Sequence, residues 1–362
     1  LIKNGFKVDM ATCDKKKINN KEYKDTKVIN FKSYIGQKYR FSLQLLLWIY
    51  KKRKEYDFFI IHGIWQFNSL VARLLLTNKK YFVFTHGQLD PFFSLNFYKM
   101  IKKNFYWYLI EKKNLLNSAG IILTTKGELN NLKKTYVNTN KIKKIVIKYG
   151  ILKSKLNNQK CKNIFRSQFP LLNNQRFYLF LGRYDTKKGC EIIINSVIKI
   201  RKNFKSKILF AGPTEDALYL KSLKKLVEKN NLENIILFSD AIYGDLKWGA
   251  ILSSRASILP SHGENFGISV AESLSQSKPV IISNKVNIFK TIDKYKAGLI
   301  ASNTLLSFSK KLLQFEKLGT NEFTKMSNNA SKCFEDNFDI SSNKNSLSNF
   351  LIKEFNKKNE NS

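Results

Sequence analysis

Short apolar runs recur along the chain, separated by longer stretches whose apolar residues lie three or four positions apart. In the first half these runs are rich in Val, Ile and Phe, which is typical of strands buried on both faces. The strand candidates are 57–61, 81–85, 120–124 and 142–147, and the helical stretches are 68–76 and 97–116. This alternation predicts a parallel sheet covered by helices.

The same alternation returns after a Lys/Asn-rich passage at 154–174. The later strand candidates are 177–181, 207–211, 234–238, 256–259 and 279–282, and the later helices are 190–202, 217–229 and 268–276. We therefore predict an α/β protein with two Rossmann-like, doubly wound lobes. The expected parts are an N-terminal lobe at 1–152, a C-terminal lobe at 153–340, and a helix with a polar tail at 341–362.

The first residues read as the end of a helix, a turn at Gly5 and a strand that ends near Ala11. The chain opens on Leu1 without a methionine. We therefore expect the N-terminal lobe to lack its first strand and the loop that follows it.

The charge is strongly positive, with 64 Lys+Arg against 27 Asp+Glu and a formal net charge of +37. Such a charge suits a partner that carries phosphate, such as an anionic lipid or a phosphorylated substrate. The abundance of Lys, Asn and Ile is also typical of translated AT-rich DNA. Because neither a Cys/His finger nor the signature of an RNA-binding sheet is present, no specific nucleic acid is expected.

The four cysteines lie far apart and form no Cys-x-x-Cys pair, so neither a zinc site nor a disulfide framework is predicted. This cysteine usage fits a reducing cytoplasm. The apolar stretches at 45–50 and 58–61 are far shorter than the roughly 20 residues of a membrane-spanning helix.

Two carboxylates, Glu264 and Glu272, flank a glycine turn after the strand at 256–259. The N–H groups of a helix that begins at Ile268, helped by the missing side chain of Gly267, would form an anion site suited to a diphosphate. Glu272, one turn into the helix, is placed to bind a ribose diol, and Glu264 is placed to reach a sugar. The alternative is that Glu264 caps the helix and Glu272 is an exposed helical carboxylate.

The loop after the strand at 177–181 carries Gly182, Arg183 and Lys188. Arg183 offers a bidentate fork and Lys188 a point charge, and together they would neutralise a leaving nucleoside diphosphate. The loop matches neither a Walker motif nor a dinucleotide-binding fingerprint. It lies at the carboxyl end of a strand, where α/β sheets bind ligands.

These motifs resemble the donor lobe of family 4 (group 1) retaining glycosyltransferases, which have the GT-B fold. The resemblance rests on Gly182-Arg183 to Lys188-Gly189, on Glu264-Asn265-Phe266-Gly267 to Glu272, and on Lys278-Pro279-Val280, and it covers about residues 55–340. It implies two lobes that face a cleft, a nucleoside-diphosphate-sugar as donor substrate, and neither a cofactor nor a metal.

By this resemblance, Arg183 and Lys188 hold the donor diphosphate, Glu272 holds the ribose, and Glu264 lies against the sugar. The implied catalytic residues are His86 and Glu264, and the implied donor-binding residues are Gly182, Arg183, Lys188, Asn265, Phe266, Gly267, Ile268 and Glu272.

The segment from Phe84 to Pro91 resembles the strand-end His-Gly segment of the same family. His86 would then contact the transferred sugar. His62 lies at another matching strand end, where we expect a buried structural histidine. At Ser277 the chain departs from the glycine that usually ends the donor-lobe helix in the family.

The helix predicted at 97–116 mixes lysines with four consecutive aromatic residues, Phe105 to Tyr108. A basic aromatic helix suits the surface of an anionic membrane, where lipid-linked acceptors are found. A packed helix with a lysine-rich outer face fits the same pattern.

The sequence thus leads to one main hypothesis and several alternatives. The hypothesis is sugar transfer to a glycan or lipid-linked acceptor with retention, in the synthesis of cell-envelope polysaccharide or lipopolysaccharide. The protein would be cytoplasmic or peripheral on the inner face of the membrane. The alternatives are an epimerase or phosphorylase of the same fold, an inactive or truncated GT-B protein, and a basic protein that binds membranes or nucleic acid.

Overall fold

The chain folds into two units, Leu1–Lys148 with Lys344–Ser362, and Tyr149–Asn343. The computed structural model describes residues 1–14, 26–34, 39–77, 81–89, 97–133, 138–341 and 347–359. Both units are built from parallel strands with intervening helices, which confirms the predicted α/β class with Rossmann-like sheets.

The N-terminal unit contains a parallel pair, β1 (Asp9–Thr12) and β2 (Lys27–Asn30), and a second parallel sheet in the order β3-β4-β5-β6. The strands of the second sheet are β3 (Phe59–His62), β4 (Tyr81–Phe84), β5 (Gly120–Leu123) and β6 (Lys144–Val146). The helices are α1 (Leu43–Lys52), α2 (Phe67–Leu75), α3 (Phe97–Tyr106), α4 (Lys112–Asn117), α5 (Lys126–Leu132) and α14 (Leu347–Asn359).

The C-terminal helix α14 packs on the N-terminal unit, a placement that its periodicity left open. Leu351 is 2% exposed and joins a core cluster with Phe82 and Ile122. The ring of Phe350 lies edge-on to Phe82, with the centroids 5.1 Å apart. The first residues of the predicted helix, 342–346, lie outside the described residues.

The helix predicted at 97–116 is continuous, but five of its residues, Trp107–Glu111, form a π-helical segment between α3 and α4. The fully buried Glu111 carboxylate accepts a hydrogen bond from the Trp65 main-chain N–H at 2.6 Å. Burial raises the pKa of Glu111 to about 6, and this hydrogen bond is the main opposing influence.

The C-terminal unit has a six-stranded parallel sheet in the order β12-β11-β10-β7-β8-β9. Its strands are β7 (Phe177–Leu181), β8 (Lys207–Ala211), β9 (Ile236–Ser239), β10 (Ala256–Leu259), β11 (Val280–Ser283) and β12 (Gly298–Ala301). Its helices are α6 (Asn158–Gln168), α7 (Cys190–Ile200), α8 (Ala217–Lys229), α9 (Gly244–Ser253), α10 (Ile268–Ser275), α11 (Phe289–Tyr295), α12 (Leu305–Glu316) and α13 (Thr320–Asn337).

The order of these strands reverses between β7 and β10. From β7 the chain first builds outward through β8 and β9, then crosses to the other side of β7 for β10 and its successors. Ligands of open α/β sheets bind at the carboxyl edge where such a reversal occurs. The fold therefore predicts a ligand-binding site at the loops after β7 and β10.

The Lys/Asn-rich passage at 154–174 was not assigned a helix from its sequence, yet it contains α6. Only Cys161 and Phe165 of this helix are buried, so its apolar periodicity is short. It packs closely against α9 at Gly249, where an added Cβ would lie 2.1 Å from the Cys161 carbonyl oxygen.

The four cysteines are buried, and none of them forms a disulfide. In the described part of the chain no helix is both long enough and apolar enough to cross a bilayer.

We predict that Gly249→Ala destabilises the C-terminal unit because its methyl group would overlap the α6 main chain. Overpacking of this kind costs about 1–3 kcal/mol, so the thermal midpoint should fall by several degrees. Gly319→Ala is the matched control, since its nearest neighbour would be Glu322 Oε2 at 3.8 Å. Equal melting of the two variants by calorimetry would contradict the close packing of α6 on α9.

Candidate functional site

Two loops meet where the strand order reverses, and an ion pair joins them. Lys188 follows β7, Glu264 follows β10, and Lys188 Nζ donates to Glu264 Oε2. Their side chains are 17% and 19% exposed, so the pair is partly shielded from solvent. The main chain fixes the same junction, since the His262 N–H and the Ser261 hydroxyl both donate to the Lys187 carbonyl, at 2.8 and 2.9 Å.

The helix after β10 begins as the sequence predicted, at Ile268. Gly267 is the N-cap residue with φ 76°, and it supplies no side-chain cap to the first N–H groups of α10. Glu264 is therefore not the helix cap, and that alternative is wrong. Its main chain instead bridges to the loop after β11, where the Asn287 N–H donates to the Glu264 carbonyl at 3.0 Å.

Two further ion pairs lie near this edge of the sheet. Arg183 Nη1 lies 2.7 Å from Glu215 Oε2, and both side chains are exposed. Lys247 Nζ lies 2.6 Å from Glu272 Oε1, and these side chains are 25% and 15% exposed. Glu272 is thus a largely buried, paired carboxylate, which excludes the alternative of an exposed helical residue.

The predicted donor residues Gly182, Asn265 and Phe266 lie in the same loops after β7 and β10. Phe266 is 5% exposed, and its ring packs edge-on against Tyr149 and Phe338. The Gly182 N–H donates to the Ala211 carbonyl at 3.2 Å. The side chain of Asn265 is half-buried in the turn before Gly267.

A polar network beside the Glu264 loop was not found from the sequence. His262 Nε2 lies 3.4 Å from Glu191 Oε1, and its Nδ1 lies 2.8 Å from Asn303 Nδ2. Glu191 also accepts from the Tyr219 hydroxyl. The network joins the loop after β10 to α7, α8 and the loop after β12.

In the N-terminal unit, two histidines meet at the carboxyl ends of the neighbouring strands β3 and β4. His62 Nδ1 and His86 Nε2 are 3.0 Å apart, so one ring donates the hydrogen and the other accepts it. The His62 ring stacks on Phe84 with an interplanar angle of 2°. The expectation of a buried structural histidine at His62 was wrong, because its side chain keeps exposed surface.

The environment of this pair favours neutral imidazoles. Desolvation against Phe84, and secondarily repulsion from His86, lower the pKa of His62 to about 4, although part of the side chain remains exposed. Desolvation also lowers the pKa of His86, while Glu128 acts in the opposite direction.

His86 itself has a left-handed backbone with φ 48°, which is uncommon for a residue other than glycine. The 4% exposed carboxylate of Glu128 holds this turn, accepting from the Gly87 N–H and the Thr85 hydroxyl, both at 2.8 Å. The Thr124 N–H donates to its other oxygen at 2.9 Å. Asp90 and Pro91, at the end of the predicted His-Gly segment, lie outside the described residues.

The structure thus brings Arg183, Lys188, Glu264, Glu272 and the start of α10 to one sheet edge, while His86 lies in the other unit. Sequence reasoning missed Lys247, Glu215 and Glu191 as partners of this edge. Within the described ranges no group of three or more His, Cys, Asp or Glu side chains could hold a metal ion.

Known glycosyltransferases are among the proteins that this chain resembles. Residues 162–333 match the family model described as glycosyl transferases group 1. An uncharacterised glycosyltransferase of Methanocaldococcus jannaschii is 28% identical over 261 residues, which are 70% of this chain and 64% of that protein. An alpha-1,3/1,6-mannosyltransferase of Dictyostelium discoideum is 26% identical over 153 residues, which are 38% of this chain and 36% of that protein.

Solved structures share the fold along nearly the whole chain. Sucrose-phosphate synthase of Thermosynechococcus elongatus superposes with a TM-score of 0.74 at 15% identity, covering 100% of this chain and 91% of that one. Anabaena HepE in complex with UDP and glucose superposes with a TM-score of 0.73 at 14% identity, covering 97% and 99%.

Residues 162–333 are therefore similar to group 1 glycosyltransferases, and the chain shares the GT-B fold of the solved structures. The alignments with the curated relatives span only about one third to two thirds of the length of those proteins.

We predict that His62 titrates near pH 4 and His86 below the ordinary histidine value of about 6.5. In the unfolded chain the His62 imidazole takes up a proton near pH 6.5, whereas in the folded protein it does so only near pH 4. The free energy of unfolding is therefore highest above pH 6.5 as far as His62 is concerned, and it decreases as the pH falls from 6.5 to 4. NMR titration of the three histidines, assigned with His62→Gln, measures both values. A His62 midpoint at or above 6.5 would contradict the packed, neutral pair.

Proposed function

We propose that the chain transfers a sugar from a nucleoside diphosphate donor to a hydroxyl of a glycan or lipid-linked acceptor, with retention of anomeric configuration. One observation carries this proposal. The loop of Arg183 and Lys188 and the start of α10 meet at the reversal of strand order, joined by the Lys188–Glu264 pair.

In this proposal the diphosphate binds Arg183, Lys188 and the first N–H groups of α10. Both cations already have carboxylate partners, so binding exchanges or shares those partners rather than filling an unbalanced positive site. Stabilising the leaving diphosphate would supply the main catalytic effect, because charge develops there as the glycosidic bond breaks. The cationic side chains then do the work that a metal ion does in other transferases.

In this proposal the two carboxylates contact different parts of the donor. Glu272, on α10, would accept hydrogen bonds from the ribose diol, and Glu264, before the turn, would contact the sugar. The role of His86 at the transferred sugar rests on the resemblance of its segment, supported by its strained backbone and exposed imidazole. The neighbour solved with UDP and glucose supports a nucleotide-sugar donor.

We propose a role in cell-envelope synthesis on the basis of the family resemblance. A polysaccharide or lipopolysaccharide product is the usual setting of the family that the motifs resemble. An epimerase or a phosphorylase of the same fold is distinguished by its chemistry, since only a transferase forms a product that requires a hydroxyl acceptor.

We predict that one of UDP, GDP and ADP binds tightly in calorimetry and that Arg183→Ala and Glu272→Ala each weaken that binding about 10- to 100-fold. A charge-assisted hydrogen bond contributes about 1.5–3 kcal/mol, which corresponds to that range. Lys225→Ala, on the exposed face of α8, removes one positive charge, as Arg183→Ala does, at a position away from the site, and it should bind normally.

Binding of none of the three nucleotides would favour an inactive lobe. Salt-sensitive binding to an oligonucleotide, unchanged by Arg183→Ala and Glu264→Ala, would favour the nucleic-acid alternative. Once a donor and an acceptor are known, NMR of the product reports the anomeric configuration, and an inverted product would overturn retention while leaving sugar transfer intact.

We also propose that an anionic membrane is a partner of the N-terminal unit. The outer face of α3, the π-helical segment and α4 exposes large apolar side chains at helical spacing, with Lys112 and Lys113 beside them. These apolar side chains, which we call the aromatic face, are Ile101, Phe105, Tyr108, Leu109 and Leu116. The opposite face buries Trp107 and Leu115, so the aromatic face is not needed for the core.

Charge complementarity selects a lipid surface that is anionic. Lysines beside inserted aromatic groups gain about 1 kcal/mol each from such a surface, and the chain as a whole carries +37. A membrane location would bring the enzyme to lipid-linked acceptors. The side chains of Lys99 and Lys102, part of the same sequence pattern, lie outside the described residues.

We predict that the protein sediments with vesicles of phosphatidylcholine and phosphatidylglycerol but much less with phosphatidylcholine alone. The double variant Phe105→Ser/Tyr108→Ser should lose most of this binding, because two exposed aromatic rings no longer insert. Leu218→Ser removes an 80% exposed apolar side chain from the other unit and serves as the control. Equal sedimentation with and without anionic vesicles would overturn the membrane proposal.

A further inference from the structure

Lys247 is a basic side chain that no motif singled out, yet it contacts a central residue of the proposed donor site. It lies in the first turns of α9, which follows the edge strand β9, while its partner Glu272 lies on α10, which follows β10. Lys247 Nζ and Glu272 Oε1 are 2.6 Å apart. The contact joins two helices that both begin at the carboxyl edge of the sheet.

Burial makes this pair different from the surface ion pairs of so basic a chain. The side chains of Lys247 and Glu272 are 25% and 15% exposed, against 44% and 59% for Arg183 and Glu215. A shielded pair is screened less by salt and holds its geometry better than an exposed one. The ammonium group of Lys247 has a second contact, because its Nζ lies 4.7 Å from the centre of the Trp248 ring.

The pair determines how Glu272 can receive a ligand. A carboxylate has two oxygens and about four lone-pair positions, and Lys247 occupies one position on Oε1. This bond restrains the Glu272 carboxylate before any ligand arrives and leaves its other acceptor positions for further donors. A vicinal diol needs two acceptor positions at a fixed separation, so it benefits most from such an arrangement.

We propose that Lys247 is a positioning residue that holds Glu272 for recognition of the ribose diol, and that it makes the site select ribonucleoside over 2′-deoxyribonucleoside diphosphates. This inference rests on the proposed function, because it assigns Glu272 to the ribose. Lys247 acts through Glu272 and does not itself contact the diphosphate. Selectivity for the 2′-hydroxyl, rather than overall affinity, is therefore the property that depends on Lys247.

The test compares nucleotide pairs that differ in one hydroxyl. Calorimetry measures the binding of UDP and 2′-deoxy-UDP, with the GDP and ADP pairs in parallel, to the wild type, Lys247→Met, Lys247→Arg and Lys225→Met. The wild type should prefer the ribose form about 10- to 100-fold, as expected when a buried carboxylate binds the hydroxyl.

Lys247→Met should lower the ribose preference to within about threefold while leaving the affinity for the deoxy form nearly unchanged. Lys247→Arg keeps a cation beside Glu272 and should retain most of the preference. Lys225→Met should behave as the wild type. Thermal melting of each variant identifies any loss of fold, and the retained binding of the deoxy form provides a second check.

Two results would overturn the inference while leaving the proposed function intact. If Lys247→Met weakens both nucleotides by the same factor, Lys247 contacts the phosphates or base, or only ties α9 to α10. If Lys247→Met is as selective as the wild type, Glu272 needs no positioning. Failure of the wild type to bind any of the three nucleotides would instead overturn the proposed function, and this inference with it.

Discussion

The arrangement of the C-terminal unit's site depends on the ion pair between Lys188 and Glu264. It joins the loops after β7 and β10, the two strands between which the order of the sheet reverses. Both side chains are mostly buried, so loss of either partner would leave a poorly solvated charge. The main-chain bonds from Ser261 and His262 to the Lys187 carbonyl hold the same junction. Side-chain charge and main-chain geometry therefore specify a single arrangement of the two loops.

Charge is balanced locally at this edge although the chain as a whole is strongly basic. Arg183, Lys188 and Lys247 each have a carboxylate partner, while the formal net charge of the chain is +37. The overall field attracts any polyanion at long range, whereas binding at the edge requires a ligand that shares or exchanges the carboxylate partners of these cations. The net charge therefore bears on long-range encounter and on attraction to membrane surfaces, whereas the paired residues bear on which ligand binds at the edge.

The sequence predicted the central strands because they are buried on both faces and form uninterrupted apolar runs, as at β4 and β5, whereas it did not predict β2 and β12. It predicted α6 poorly because only Cys161 and Phe165 of that helix are buried. The Lys247–Glu272 pair could not be predicted, since it joins two helices that follow different strands and are brought together only by the fold. The same holds for His62 and His86, which meet only because β3 and β4 are neighbours in a register that pairs His62 with Phe84.

Two residues with left-handed backbones, Ser277 and His86, differ in what their strained turns do. Ser277 has φ 57° at the end of α10, where its N–H donates to the Leu274 carbonyl, and this left-handed conformation is the one that glycine adopts most readily at a helix end. Its strain, about 1–2 kcal/mol, serves only to end a helix. His86 has φ 48°, but its turn is clamped by the buried Glu128 and presents an exposed imidazole at a strand end. A strained turn that holds an exposed titratable group in place is the kind of outlier from which a functional role is proposed, and of these two residues only His86 meets that condition.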